Sequence, residues 1–128
     1  MSREIKFRAW EARVKKYIDW DNFMNNPFGT WGMKAINNER YYFQQYTGLK
    51  DKNGKEIYEG DILKTSSVSG KGDIITTIEW SEFSWKEKLI YSPIHQFYEY
   101  FDFSDETGVD SEIIGNIYEN PELLEATA

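Results

Sequence analysis

The sequence predicts a mainly β fold: a small barrel or roll with an N-terminal β-hairpin and a short C-terminal helix. Three features carry that prediction. Residues 4–9, Glu-Ile-Lys-Phe-Arg-Ala, alternate strictly between polar and apolar, which is the period of a strand with one buried face. Residues 73–80 are dense in β-branched side chains (Ile74, Ile75, Thr76, Thr77, Ile78), which suit a pleated, half-buried surface. Turn signals recur between short runs of this kind. The strongest is Asn53-Gly54, because both residues accept positive φ. Short strands at turn-punctuated spacing are the pattern of barrels and rolls.

In chain order, Ile5, Phe7 and Ala9 share the buried face of the first strand, and Glu4, Lys6 and Arg8 the other. Tyr17–Trp20 is its hairpin partner, joined through Glu11–Lys16. Residues 21–40 have loop composition (Asn22, Asn25-Asn26-Pro27, Gly29, Gly32, Asn37-Asn38), with Phe23, Phe28 and Trp31 expected to pack down. Tyr41–Tyr46 is a strand rich in aromatics. Glu59-Gly60-Asp61 is a turn that launches a strand over Ile62–Thr65, and Gly60 is expected at positive φ there. Further strands are expected at Asp73–Trp80, Trp85–Tyr91, Gln96–Phe103 and Ser111–Tyr118. Residues 119–126 read as a short helix in which Asn120 supplies the cap, Pro121 the first helical position and Glu122 a negative charge at the positive end of the dipole.

The 128 residues fit one domain, 1–128, without a linker or an internal repeat. Aromatic residues reach 17%, so a few large side chains build the core of a short chain. The absence of Cys excludes disulfides, thiolate nucleophiles and thiolate-bound zinc. No apolar run follows Met1-Ser2-Arg3-Glu4, so no signal peptide is expected, and no stretch has the length of a membrane span. A cytoplasmic protein is expected.

The net charge of −7 is unevenly spread. Residues 1–64 hold 12 Lys/Arg against 9 Asp/Glu, and residues 65–128 hold 3 against 13. An acidic chain is a poor general binder of phosphate backbones. Arg3, Lys6, Arg8, Arg13, Lys15 and Lys16 nevertheless concentrate positive charge in the first hairpin. They read first as its solvated face, and second as a nucleic-acid site.

Catalytic chemistry finds little support. The single His95 has no nucleophile elbow near it in sequence and reads as structural or exposed. Asp102, Asp105, Glu106, Asp110 and Glu112 cluster, but they lack the ligand alternation and the offset glutamate of a calcium loop. A solvated acidic turn is the first reading and a cation site the second. Ser69-Gly70-Lys71-Gly72 lacks the phosphate-loop pattern and precedes a strand. Neither cofactor nor catalytic residue is assigned. The most conspicuous segment, Phe97–Phe103, belongs to a stretch in which six of the thirteen residues from Tyr91 to Phe103 are aromatic. It reads as core and cross-strand pairs. Alternatively its mixed face, Tyr98, Tyr100 and Asp102, is a partner surface, where Tyr is favoured.

Three blocks, Arg3–Trp10, Gln45–Ile62 and Ile114–Leu123, resemble the YopX family of small proteins encoded by phages and prophages. The resemblance implies a mainly β fold that includes an SH3-like barrel, a phage or prophage origin, and no known activity. It carries over no catalytic residue. The conspicuous residues of the blocks have a physical reading as scaffold. Gly48, Gly54, Gly60 and Gly115 stand where a turn or close packing disfavours a Cβ, Asp61 caps its own turn, and Asn120 caps the helix. The function expected is a non-enzymatic module that binds a phage or host protein or itself. The alternatives are a nucleic-acid-binding barrel and, more weakly, a metal-dependent enzyme.

Overall fold

The computed structural model describes residues 5–21, 41–66, 72–81, 84–92, 100–102 and 110–125. Among these, nine strands and one 3-10 turn follow one another: β1 (Phe7–Glu11), β2 (Lys16–Ile18), β3 (Tyr41–Lys50), β4 (Glu56–Tyr58), β5 (Asp61–Ser66), β6 (Asp73–Ser81), β7 (Ser84–Tyr91), β8 (Tyr100–Asp102), β9 (Ser111–Asn116), and the turn Pro121–Leu124. The mainly β expectation holds, and no described helix is long and apolar enough to cross a membrane. The chain divides into two compact units, 1–46 and 47–128.

In the first unit β1 pairs antiparallel with β2 (Ala9 opposite Ile18, Trp10 opposite Tyr17) and with β3 (Phe7 opposite Gln45, Ala9 opposite Phe43). The expected alternation of β1 is realised only in part. The strand begins at Phe7, so Ile5 lies before it and is 67% exposed. Trp10, on the face expected to be polar, is buried together with Ala9 and Glu11, because its ring packs 5.0 Å from that of Tyr17. Ala9 is buried among Ile18, Trp20, Tyr41 and Phe43, and the Phe7 ring lies 5.3 Å from that of Trp20. The Glu11 carboxylate holds the β1–β2 turn by accepting the N–H groups of Arg13 (2.9 Å) and Val14 (3.2 Å). The Lys15 N–H donates to the Glu11 carbonyl at 2.8 Å, and Lys15 adopts φ +57°, the left-handed residue that closes longer hairpin turns.

In the second unit the end of β3 is followed by β4, and a five-stranded antiparallel sheet runs in the order β8-β7-β6-β5-β9. Leu63, opposite both Thr76 and Ile113, shares a face with Ile78 and Trp85. That face and Ile57 form the core, against which Leu49 and Ile113 pack. Ile57, Ile62, Leu63 and Ile78 are fully buried, each contributing about 1.5–3 kcal/mol of hydrophobic stabilisation. Two register shifts bend the sheet. Ile62 and Leu63 face Gly115 and Ile113, so Ile114 is the extra residue of β9. Ile75 and Thr76 face Tyr91 and Leu89, so Ile90 is the extra residue of β7. Bulges of this kind re-aim the extra side chain and sharpen the twist.

The C-terminal element departs from expectation in kind. Pro121–Leu124 is a single 3-10 turn, and the Asn120 side chain makes no capping bond to it. The reason is that Asn120 Oδ1 accepts the N–H of Asn116 instead, at 3.2 Å. The side chain therefore ties the turn back to β9. The segment 22–40, with its expected inward aromatics, lies outside the described residues, as does His95.

Candidate functional site

The residues that look most distinctive in the sequence build the scaffold of the second unit. Asp51 is 5% exposed. One of its carboxylate oxygens accepts the N–H groups of Asn53 and Lys55, both at 2.9 Å, and the other accepts that of Ile113 at 3.0 Å. Burial opposes ionisation of this carboxyl most strongly. The three backbone donors and the Lys55 charge together outweigh it and hold Asp51 below its ordinary value. A turn between β3 and β4 is thus stitched to β9 by one side chain, with a partly exposed Lys52–Glu112 ion pair (3.5 Å) beside it.

Gly60 sits in the next turn at φ +83°. Its N–H donates to the Ile78 carbonyl at 2.8 Å, and its carbonyl accepts from Ile117 at 2.9 Å. Asp61 closes that turn by accepting the Tyr58 N–H at 2.8 Å. Gly48 and Gly54 also have positive φ, +89° and +80°. Gly115 has a different reason to be glycine, since a Cβ there would lie 2.5 Å from Asn120 Oδ1. Asn116 completes the C-terminal block by accepting the N–H groups of Tyr118 (3.1 Å) and Glu119 (2.9 Å).

A second arrangement lies on the first unit. Arg8 Nε and the Tyr17 hydroxyl both donate to Gln44 Oε1, at 2.8 and 2.9 Å. The Arg8 guanidinium lies 4.3 Å from the centre of the Tyr17 ring, and Lys6 Nζ 5.0 Å from that of Tyr46. The two cations expected on the solvated face of the hairpin are therefore laid over aromatic rings, the geometry of cation–π attraction.

Two features escape a reading by motif. Glu87 is buried at 5% exposure, opposite Ile78, and accepts a hydrogen bond from the Thr76 hydroxyl at 2.9 Å. Burial pushes its carboxyl up against the opposing effect of that bond. The signal was its place between Trp85 and Leu89 on the core side of the alternation. The other feature is a surface pocket of about 240 Å³ on the opposite face of the sheet. It is floored by Ile75, Leu123 and the two bulged residues Ile90 and Ile114, with Glu122 and Glu125 at its edge. Among the described residues neither carboxylate forms an ion pair.

Of the sequence-predicted sites, the scaffold glycines, Asp61 and Asn120 belong to the second unit: Gly54, Gly60 and Asp61 stand at the turns just described, Gly115 and Asn120 are brought together, and Gly48 lies within β3. Tyr98 lies outside the described residues, and so do the side chains of Tyr100 and Asp102. Asp105 and Glu106 also fall outside them. Among the described residues no three His, Cys, Asp or Glu side chains form a metal-holding group.

Comparison with known proteins agrees with this picture of a scaffold whose chemistry is unassigned. No curated protein matches the chain. The crystal structure of protein EF1440 from Enterococcus faecalis is similar over 97% of this chain and 100% of its own, with 26% sequence identity and a TM-score of 0.68. The crystal structure of protein yopX from Bacillus subtilis shares the fold over 96% of this chain and 98% of its own, with 19% identity and a TM-score of 0.60. The family model described as YopX protein matches residues 6–125, and with almost the whole length covered, the chain belongs to the YopX family.

Proposed function

We propose that this chain is a non-enzymatic protein-binding module of a phage or prophage, acting in the cytoplasm of the host bacterium on a phage or host protein or on further copies of itself. The observation that carries the reading is the aliphatic pocket edged by Glu122 and Glu125. It is smaller than the ~300–1,000 Å³ of sites that enclose a drug-sized ligand, and it suits one or two anchoring side chains of a protein partner. The distinctive polar side chains Asp51, Asp61, Asn116 and Asn120 are engaged by backbone donors, which leaves their role architectural. The five antiparallel strands of the second unit, two of them bulged, support reading it as the SH3-like barrel. Residues 1–128 are read as one domain that unfolds in a single transition.

The experiment is light scattering across micromolar concentrations, paired with affinity capture from lysogenic cells. Leu123→Asp serves as the control that destroys the pocket floor. Self-association or a captured protein that Leu123→Asp abolishes supports the reading. A monomer that captures nothing beyond what Leu123→Asp captures overturns it.

A second reading, nucleic-acid binding by the first unit, is favoured by the Lys6–Tyr46 and Arg8–Tyr17 pairs. Cations interleaved with rings are the elements of single-strand grooves. It requires binding that weakens steeply with salt. The absence of any mobility shift with single- or double-stranded DNA or RNA at low salt removes it.

A further inference from the structure

The described surface holds two features of opposite character. One is the pocket of the second unit. Its apolar floor depends on both β-bulges, because Ile90 and Ile114 are the extra residues that the register shifts create. Ile75 of β6 and Leu123 of the 3-10 turn complete it, and Glu122 and Glu125 give its edge two negative charges. An apolar floor with carboxylates at the edge selects an occupant that is apolar at its tip and cationic at its flanks, since the stems of Lys and Arg cover apolar surface while their heads stay in water.

The other feature is the tip of the β1–β2 hairpin. Arg13, Val14, Lys15 and Lys16 are all exposed there. Val14 is 57% exposed, an apolar residue where turn chemistry calls for a polar one. The tip is held in shape from beneath by the buried Glu11 carboxylate, which takes the Arg13 and Val14 N–H groups. A preordered loop loses little entropy on docking. One apolar side chain flanked by three cations matches the pocket in both polarity and charge. The same asymmetry marks the whole chain, which is positive over residues 1–64 and strongly negative over 65–128.

We infer that the β1–β2 hairpin tip of one copy docks in the acidic-edged pocket of another, with Val14 on the aliphatic floor and the Arg13, Lys15 and Lys16 cations beside Glu122 and Glu125. The inference rests on the protein-binding reading above and names the partner as a second copy. Tip and pocket are different surfaces, and each copy offers one of each. Exchanged reciprocally about a two-fold axis they close a dimer, and passed head to tail they make a larger ring or an open filament.

The test uses charge reversal on the full chain. One variant carries Lys15→Glu and Lys16→Glu, the other Glu122→Lys and Glu125→Lys. All four positions are exposed, and circular dichroism verifies that both variants fold. Multi-angle light scattering of the wild type gives a mass above the 15.2 kDa monomer, falling as salt rises. Each variant alone returns to the monomer mass, and an equimolar mixture of the two regains assembly, because a reversed tip meets a reversed pocket. An assembly that neither variant weakens overturns the contact while leaving the protein-binding reading intact. A wild type that stays monomeric at every concentration overturns both the contact and self-association, and leaves only a foreign protein as partner.

Discussion

Removing the Asp51 carboxylate tests the architecture of the second unit at its most connected side chain. Asp51→Ala deletes the acceptor for Asn53, Lys55 and Ile113 at once. Hydrogen bonds to a charged group contribute about 1.5–3 kcal/mol each. The three are not lost at full value, because Asn53 and Lys55 lie in an exposed turn where water replaces the carboxylate. The Ile113 N–H belongs to β9 and is half-buried, so it carries the larger part of the penalty. The expected cost is about 2–4 kcal/mol, a fall in Tm on the order of 10 °C for a chain of this size, measured by urea and thermal denaturation with an unchanged m-value. The pH dependence supplies the sign. The carboxyl is held below its ordinary value of 3.8 in the folded state, so the unfolded chain takes up the proton first. The stabilisation is present in full above that value and is lost as pH falls through it towards the folded-state value. Asp51→Asn removes this acid limb. A cost within about 0.5 kcal/mol, the usual range of a surface substitution, or an acid limb unchanged in Asp51→Asn, refutes the assignment.

Gly60→Ala forces an L-residue to φ +83° and is expected to cost about 1–2 kcal/mol; a neutral or stabilising effect on Tm contradicts the turn geometry. Gly115→Ala is expected to cost about 1–3 kcal/mol by overpacking against the Asn120 side chain. Most of that cost should vanish in an Asn120→Gly background, and strict additivity in the double-mutant cycle removes the steric explanation. Glu87 has the opposite pH sign to Asp51. Its carboxyl is pushed above the ordinary 4.5 by burial, so the folded state holds its proton longer and stability declines as pH rises from that value. Glu87→Gln should therefore raise Tm at neutral pH and flatten this limb, and a lower Tm at neutral pH refutes it.

The strands were legible where side-chain alternation or β-branching is strong. The first expected strand became β1 over Phe7–Glu11 and residues 73–80 became β6, but each buries three consecutive residues, 9–11 and 76–78, because both of its faces are covered there. The Gly60 turn was legible because Gly between two acidic residues, just before Ile62-Leu63, leaves few other backbone choices. What escaped depends on partners distant in sequence. β4 is three residues between two turns, too short for any period to declare itself. Asp51 reads as one more turn residue until Ile113, 62 positions away, donates to it. Asn120 carries a capping signature, yet Asn116 claims its side chain first. The pocket floor had a local trace: the doublets Leu89-Ile90 and Ile113-Ile114 break the polar–apolar period, and both lie at bulges. What a pair of doublets does not disclose is that the two extra residues line one pocket.

The most direct measurement of the hairpin-in-pocket contact is zero-length carbodiimide coupling of an equimolar mixture of isotope-labelled and unlabelled chain, followed by peptide mass spectrometry. The chemistry joins an amine to a carboxylate only when they touch, and mixed labelling identifies bonds between copies. The account predicts mixed-label peptides joining Lys15 or Lys16 to Glu122 or Glu125, lost on Val14→Asp. Coupling between copies that runs through other residues while these four remain unjoined would contradict it.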